Sequence, residues 1–104
     1  MIQGTTETLI FTIEDDDIVL PDASAVWVTI QQKGTRISKN GNALRIDGKT
    51  IEVELTQAES LRLTKGTAEV QANWLVDSYG GKKRIATIPV SFDVEKQLLP
   101  KVLT

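Results

Sequence analysis

The clearest pattern in the chain is a pair of alternating segments in its second half. Along residues 68–76 and 86–94 apolar side chains occupy every second position: Ala68, Val70, Ala72, Trp74, Val76, Ala86, Ile88, Val90, Phe92 and Val94. A period of two is typical of half-buried β-strands. Between the segments, Gly80 and Gly81 can take the positive φ that a tight reversal needs. The sequence therefore predicts a β-hairpin with even-numbered side chains inside.

The parity of this pattern also predicts a register. Because the inward positions are even-numbered in both segments, opposed residue numbers must add up to an even number, which favours a three-residue loop from Tyr79 to Gly81. The predicted pairs are Trp74–Ala86, Ala72–Ile88, Val70–Val90 and Ala68–Phe92. Pro89 has no N–H for a ladder, so its position predicts an edge, a bulge or a switch between sheets.

The first half of the chain alternates in shorter stretches. Residues 6–13 predict a first strand, and in residues 25–32 the apolar parity places Trp27 on the outer face. Turn sequences then divide residues 25–55 into a predicted meander of antiparallel strands, with Asn40-Gly41 as the strongest hairpin signal. Thr56 and Glu59 have the spacing of a capping box, which predicts one or two helical turns that cross between sheets.

These elements together predict an all-β fold, an immunoglobulin-like antiparallel β-sandwich of about seven strands with one short helical turn. At 104 residues the chain is expected to hold one sandwich domain, residues 1–94, followed by a partly ordered or partner-contacting tail, residues 95–104. The apolar side chains of this tail either pack back on the sandwich or contact another molecule.

Composition removes several classes of function. A net charge of −2 argues against a nucleic-acid partner, and the basic run at residues 82–84 adjoins a turn where solvated charge is ordinary. The chain has no cysteine and no histidine, so the common nucleophiles, general bases and transition-metal ligands are missing. Glu52 and Glu54 share the outer face of one strand, where a dry catalytic cleft is not expected. We expect no enzyme activity and no cofactor.

Two further expectations concern cations and location. The carboxylates of the acidic run from Asp15 to Asp17 could bind Ca²⁺. The run lacks the ligand spacing and the glycine of an EF-hand loop, so a solvated loop is the simpler interpretation. The first residues carry no signal-peptide pattern, and no apolar run approaches a membrane span. A cytoplasmic protein without a membrane partner is expected, which leaves open its later incorporation into a virion.

Apolar side chains at outward positions predict a partner surface. Trp27 is one, and Leu75 and Ile85 are expected to oppose each other on the outer face near Tyr79. The predicted surface consists of Trp27, Leu75, Tyr79, Ile85, Leu98 and Leu99. The chain's own tail or helix could instead cover these residues.

Several short motifs resemble those of a known group of proteins. They are Ile2, Gly4-Thr5-Thr6, Thr8 and Phe11; Val28-Thr29 with Gln31; Leu55-Thr56-Gln57 with Glu59 and Leu61; and Glu69-Val70-Gln71. In these motifs the chain resembles small proteins encoded among the tail genes of phages and prophages of Gram-positive bacteria. The resemblance implies a β-sandwich component of a tail or baseplate, similar to the N-terminal domain of upper baseplate proteins, with other protein subunits or further copies as partners. It transfers no active-site residue.

A second interpretation is a module that binds carbohydrate or a receptor, because Trp27, Trp74 and Tyr79 could stack on sugar rings.

Overall fold

The computed structural model describes residues 1–13, 20–21, 25–87, 89–99 and 101–103. Within these ranges the protein is an all-β sandwich of two antiparallel sheets with one short helix. The strands are β1 (Glu7–Thr12), β2 (Val26–Gln32), β3 (Thr35–Asn40), β4 (Leu44–Asp47), β5 (Thr50–Leu55), β6 (Gly66–Ser78), β7 (Gly81–Ala86) and β8 (Val90–Val94), and the helix is α1 (Gln57–Leu61). The immunoglobulin-like subclass stays a prediction.

The two sheets differ in size and are organised around different strands. The smaller sheet has the order β1-β5-β4, and the larger has the order β3-β2-β6-β7, with β8 pairing with the first part of β6. Strand β6 is 13 residues long, so it can hold β8 along one half and β7 along the other. The buried apolar residues between the sheets are Ile13, Val26, Val28, Ile30, Ile37, Leu44, Ile51, Val53, Leu55, Leu63, Ala68, Val70, Ala72, Trp74 and Val94.

The predicted hairpin at Asn40-Gly41 is wrong. Strand β3 pairs with β2 and strand β4 pairs with β5, so the chain passes from the larger to the smaller sheet here. A short 3-10 helix, Gly41–Ala43, makes the passage, and Gly41 supplies a φ of 63°. Gly41 is a site of reversal, as predicted, but the strand that follows it joins the smaller sheet, where Leu44 is buried in the core.

The predicted helical crossover is confirmed. Helix α1 carries the chain back from β5 in the smaller sheet to β6 in the larger one. The Thr56 hydroxyl accepts from the Glu59 backbone N–H at 3.2 Å, and the Glu59 carboxylate accepts from the Thr56 N–H at 3.0 Å. This reciprocal capping box satisfies two donors that a helix N-terminus leaves unpaired.

The closing hairpin exists, but its predicted register is only half right. Strands β6 and β8 pair as expected, with Ala68 opposite Phe92 and Val70 opposite Val90. Near the turn, Trp74 lies opposite Ile85 rather than Ala86, and the loop is Tyr79-Gly80 instead of three residues. The predicted partner of Ala72, at position 88, lies outside the described residues.

The register changes by one residue because the segment that links β7 to β8 has one residue more than the part of β6 that it faces. Three residues separate Ala86 from Val90, whereas two separate the opposed Asn73 and Val70. Such an excess is the signature of a β-bulge, one of the three options that Pro89 predicted. Beyond it the parity reverses, so in β7 odd-numbered side chains face inward. Ile85 consequently packs against the core and not on the outer face, which corrects the prediction for that residue.

Thr87 satisfies the main-chain hydrogen-bonding groups of Ala72 where the register changes. Its backbone N–H donates to the Ala72 carbonyl at 2.9 Å, and its hydroxyl accepts from the Ala72 N–H at 3.0 Å. The Thr87 carbonyl accepts in turn from the Gln71 side-chain amide at 2.8 Å. A threonine hydroxyl therefore stands where a main-chain carbonyl would normally accept, and the buried Ala72 amide stays satisfied.

Candidate functional site

The outer face of the larger sheet carries a row of side chains centred on Trp27. In register, Trp27 lies between Asn40 of β3 and Asn73 of β6. The next row places Thr29 between Ser38 and Gln71. Since successive strand residues point to opposite faces, the buried Val26 and Val28 fix these side chains outward. The result is one exposed indole surrounded by neutral hydrogen-bonding groups.

A shallow groove of about 370 Å³ runs beside this indole. Its lining is Trp27, Thr29, Ser38, Asn73, Trp74, Leu75 and Arg84. The Arg84 Nε–H donates to the Asn73 side-chain oxygen at 3.1 Å, so the guanidinium is held across the groove. A smaller depression of about 200 Å³, lined in part by Thr29 and Gln71, continues along the same face.

Three of the four apolar residues predicted to be exposed near this groove are exposed, and the exception is Ile85, which packs against the core. Trp27 is 39% exposed, Leu75 is 37% exposed and Tyr79, at the hairpin tip, is fully exposed. Leu75 lies opposite Arg84, and not opposite Ile85 as the parity predicted. We call Trp27, Leu75, Tyr79 and Arg84 the sheet surface. Sequence reasoning missed Arg84, because the reversal of parity in β7 was needed to bring it beside Leu75.

The C-terminal tail forms a second, separate exposed region. The Gln57 side-chain amide donates to the Leu103 carbonyl at 3.1 Å, and its oxygen accepts from the Leu103 N–H at 2.8 Å. At the start of the tail, the Gln97 amide donates to the Gln3 carbonyl at 3.2 Å. These contacts hold the tail's backbone against α1 and the N-terminal segment.

The apolar side chains of the tail nevertheless point away from the body. Leu98 is 89% exposed and Leu99 is 51% exposed. Val102 and Leu103 are also exposed, at 45% and 58%. The backbone of the tail thus contacts the sandwich, whereas these four side chains remain exposed. Contact of the tail with another molecule stays a prediction. We call these four residues the tail surface.

The tail leaves the sandwich at a distance from Trp27 along β6. The tail begins where Val94 pairs with Gly66, at the start of β6, whereas Trp27 lies opposite Asn73 further along the same strand. Seven residues of extended chain between Gly66 and Asn73 span roughly 23 Å. The protein is correspondingly elongated, with extents of 51 × 25 × 22 Å. The sequence predicts one surface that contains both Trp27 and the tail residues Leu98 and Leu99, whereas in the structure they belong to two separate exposed regions.

An ion pair between Lys39 and Glu59 has a structural role. Lys39 of β3 contacts the Glu59 carboxylate at 2.5 Å and donates to the Glu54 carbonyl at 2.9 Å. Burial by itself would raise the pKa of Glu59. The Lys39 ammonium and the Thr56 donors outweigh this effect and hold the Glu59 pKa below its ordinary value. The pair ties the larger sheet to the start of α1.

The part of the chain that the structure describes contains no cluster of metal-binding side chains. No group of three or more Asp, Glu, His or Cys side chains in this part could hold a metal ion. The acidic run from Asp15 to Asp17, which raised the calcium question, lies outside the described residues. The indole N–H of Trp74 is buried without a hydrogen-bond partner, but Trp74 is a core residue and is only 1% exposed.

Comparisons with known proteins give no family for the chain. No family model matches it, and neither a curated protein nor a solved structure does so. Within the described residues there is no helix with the length and apolar character needed to cross a membrane.

Proposed function

We propose that this protein is a non-enzymatic structural or protein-interaction module, and that it connects neighbouring subunits in a phage or prophage tail or baseplate. The observation that carries the proposal is the pair of separated apolar surfaces on one elongated sandwich. A connector needs two contact regions that can be occupied at the same time. Roughly 23 Å of strand separates the start of the tail from the level of Trp27, which gives room for two partners.

The physical character of the two regions supports this role. Trp27 and Arg84 line the same groove, and Tyr79 is exposed at the tip of the β6–β7 hairpin. Trp, Tyr and Arg are the residue types that are most enriched at the energetically important positions of protein interfaces. The Gln57 side chain makes two hydrogen bonds to the backbone of Leu103, so part of the cost of ordering the tail's main chain is met before a partner arrives. The resemblance to tail and baseplate proteins supplies the class of partner.

The experiment measures binding to the proteins encoded by neighbouring tail genes, using isothermal titration calorimetry with the purified chain. Trp27→Ala is expected to weaken one interaction and Leu98→Lys another, each by at least about tenfold, since an anchor residue is worth more than about 1 kcal/mol. Ile2→Lys, which changes an exposed apolar residue outside both surfaces, is the control. Binding that is the same for all variants, or absent with every neighbouring product, would contradict the proposal.

One observation favours a second function, a module that binds carbohydrate. The exposed Trp27 indole borders hydrogen-bonding side chains of Thr29, Ser38 and Asn73, a combination suited to stacking and hydrogen bonding with a sugar. Trp74 borders the groove but is only 1% exposed, so it cannot stack on a sugar ring, and Tyr79 is not part of the groove lining. Because Trp74 is buried, a fluorescence change on titration with cell-wall glycans would report on Trp27, and Trp27→Phe would abolish it. No response to any glycan would exclude this alternative.

A further inference from the structure

Strand β1 is an open edge of the smaller sheet. The strand order there ends at β1, and no strand in the described residues pairs with its outer side. On the outer face Ile10 is 62% exposed. On the inner face Leu9 and Phe11 are only partly buried against the core. An edge strand of this kind leaves main-chain donors and acceptors free to pair with another chain.

The other edges of the two sheets carry features that oppose pairing. Strand β3 contains Arg36 and Lys39, β4 contains Arg45, and β7 contains a basic run at residues 82–84. Pro89 precedes β8. Such charges and prolines discourage contact between edges. Strand β1 has a single charge, at its first residue, and from Thr8 to Thr12 it has no charge, glycine or proline.

The sequence of this edge is symmetrical about Ile10. Residues 8–12 are threonine, leucine, isoleucine, phenylalanine and threonine, so the order hydroxyl, apolar, apolar, apolar, hydroxyl is the same in both directions. When a strand pairs antiparallel with its own copy, the numbers of any two directly opposed residues add up to the same sum. With a sum of 20, Ile10 meets Ile10, Leu9 meets Phe11 and Thr8 meets Thr12 of the other copy.

We propose that β1 pairs with β1 of a second copy of this chain, antiparallel and centred on Ile10, to form a two-fold dimer with a continuous six-stranded sheet β4-β5-β1-β1-β5-β4. Leu9 and Phe11 complete the inner face across the junction, the two Ile10 side chains bury each other on the outer face, and each Thr8 meets a Thr12. The pairing adds about four to six main-chain hydrogen bonds, whether the odd-numbered or the even-numbered residues of β1 direct their N–H and C=O groups toward the second copy. This dimer uses neither the sheet surface nor the tail surface.

The register can be tested directly because the chain has no cysteine of its own. In the proposed dimer the two copies of position 10 are neighbours across the two-fold axis, whereas the two copies of position 8 lie four residues apart along the strands, roughly 14 Å. Ile10→Cys treated with a short bis-maleimide is expected to give a covalent dimer, and Thr8→Cys is not. A mixture of Thr8→Cys with Thr12→Cys is expected to cross-link between the two variants.

Association is measured on the unmodified chain by sedimentation velocity over a range of concentrations. A reversible monomer–dimer equilibrium is expected. Ile10→Lys sets like charges directly opposite each other and is expected to weaken the dimer by at least about tenfold. Its side chain is exposed and sits opposite Glu52 of β5, so the monomer should stay folded, as circular dichroism would show. Ile2→Lys is the matched control and is expected to dimerise like the parent chain.

Either of two results would overturn the proposal. One is a chain that remains monomeric at every concentration, and the other is cross-linking of Thr8→Cys alone as efficiently as Ile10→Cys. Since these experiments use the protein by itself, their failure would leave the connector function standing. Failure of the connector experiments would equally leave the dimer unaffected.

Discussion

The buried side chain of Gln32 provides the sharpest test of how the crossover is held. Gln32 ends β2 and is 6% exposed. Its amide Nε2 donates to the Thr64 carbonyl at 2.6 Å, and its Oε1 accepts from the Thr64 N–H at 2.7 Å and from the Thr64 hydroxyl at 3.3 Å. One amide thereby pairs both main-chain groups of a residue in the segment that leads from α1 into β6.

Gln32→Leu keeps the size of the side chain and removes all of these bonds. Each of the two main-chain bonds is worth about 0.5–1.5 kcal/mol, so we expect a loss of about 1–3 kcal/mol in the free energy of unfolding. Thr64 is itself exposed, so water can reach part of the freed groups and the full penalty for a buried unsatisfied pair does not apply. For a domain of this size the loss corresponds to a fall of roughly 5–15 °C in Tm.

Urea denaturation followed by tryptophan fluorescence measures this loss, because the buried Trp74 becomes exposed on unfolding. The neighbouring Gln31 offers a matched control, since it lies on the same strand with its side chain exposed. Gln31→Leu is expected to change the free energy of unfolding by less than about 0.5 kcal/mol. Equal stabilities for Gln31→Leu and Gln32→Leu would refute the argument that the paired amide holds the crossover.

Three further substitutions test other contacts. At Gly4, where φ is 78°, a Cβ would lie 2.7 Å from a leucine methyl carbon of α1, so Gly4→Ala should cost about 1–3 kcal/mol, and an unchanged urea midpoint would contradict this. Thr87→Val removes the acceptor of the buried Ala72 N–H and should speed its hydrogen exchange, whereas Thr87→Ser should not. Lys39→Met should raise the pKa of Glu59, which an NMR titration of the carboxylate would detect.

The same ion pair has a consequence for stability at acid pH. The Glu59 pKa is lowered in the folded protein, so its contribution is fully present above the pKa of the unfolded chain. It is lost as the pH falls from that ordinary glutamate pKa through the lowered folded value. Lys39→Met should therefore destabilise the protein at neutral pH and flatten its loss of stability over this acid range. Parallel curves of stability against pH for parent and variant would contradict the assignment.

Alternation and capping predicted most of the fold because they are local properties. The capping box at Thr56 and Glu59 needs only two residues three apart, and the inward parity of β2 and β5 follows from burial of every second side chain. The route of the chain between sheets is not local. Asn40-Gly41 permits several reversals, and the sheet that β4 joins depends on which partner strand buries Leu44.

The register of the closing hairpin shows where parity reasoning fails. Parity assumes one residue opposite each residue along the whole ladder, and a single extra residue inverts the faces beyond it. Pro89 indicates such an irregularity, but it does not say on which side of it the faces invert. Simple alternation therefore places Ile85 on the outer face and gives no reason to pair Arg84 with Leu75, although this pairing is what gives the sheet surface its charge.

The separation of Trp27 from the start of the tail depends on where the neighbouring strands pair along β6, which no local pattern encodes. Trp27 and Leu98 are both exposed apolar residues, and alternation cannot tell whether they share a face or lie at opposite ends. Pairing along β6 sets the distance between Trp27 and the start of the tail, because Trp27 pairs with Asn73 whereas β8 reaches Gly66 before it leads into the tail. Because both positions are fixed by pairing with the same strand, their spacing is set by the sheet. The proposed connector function requires such a defined spacing between its two contact regions.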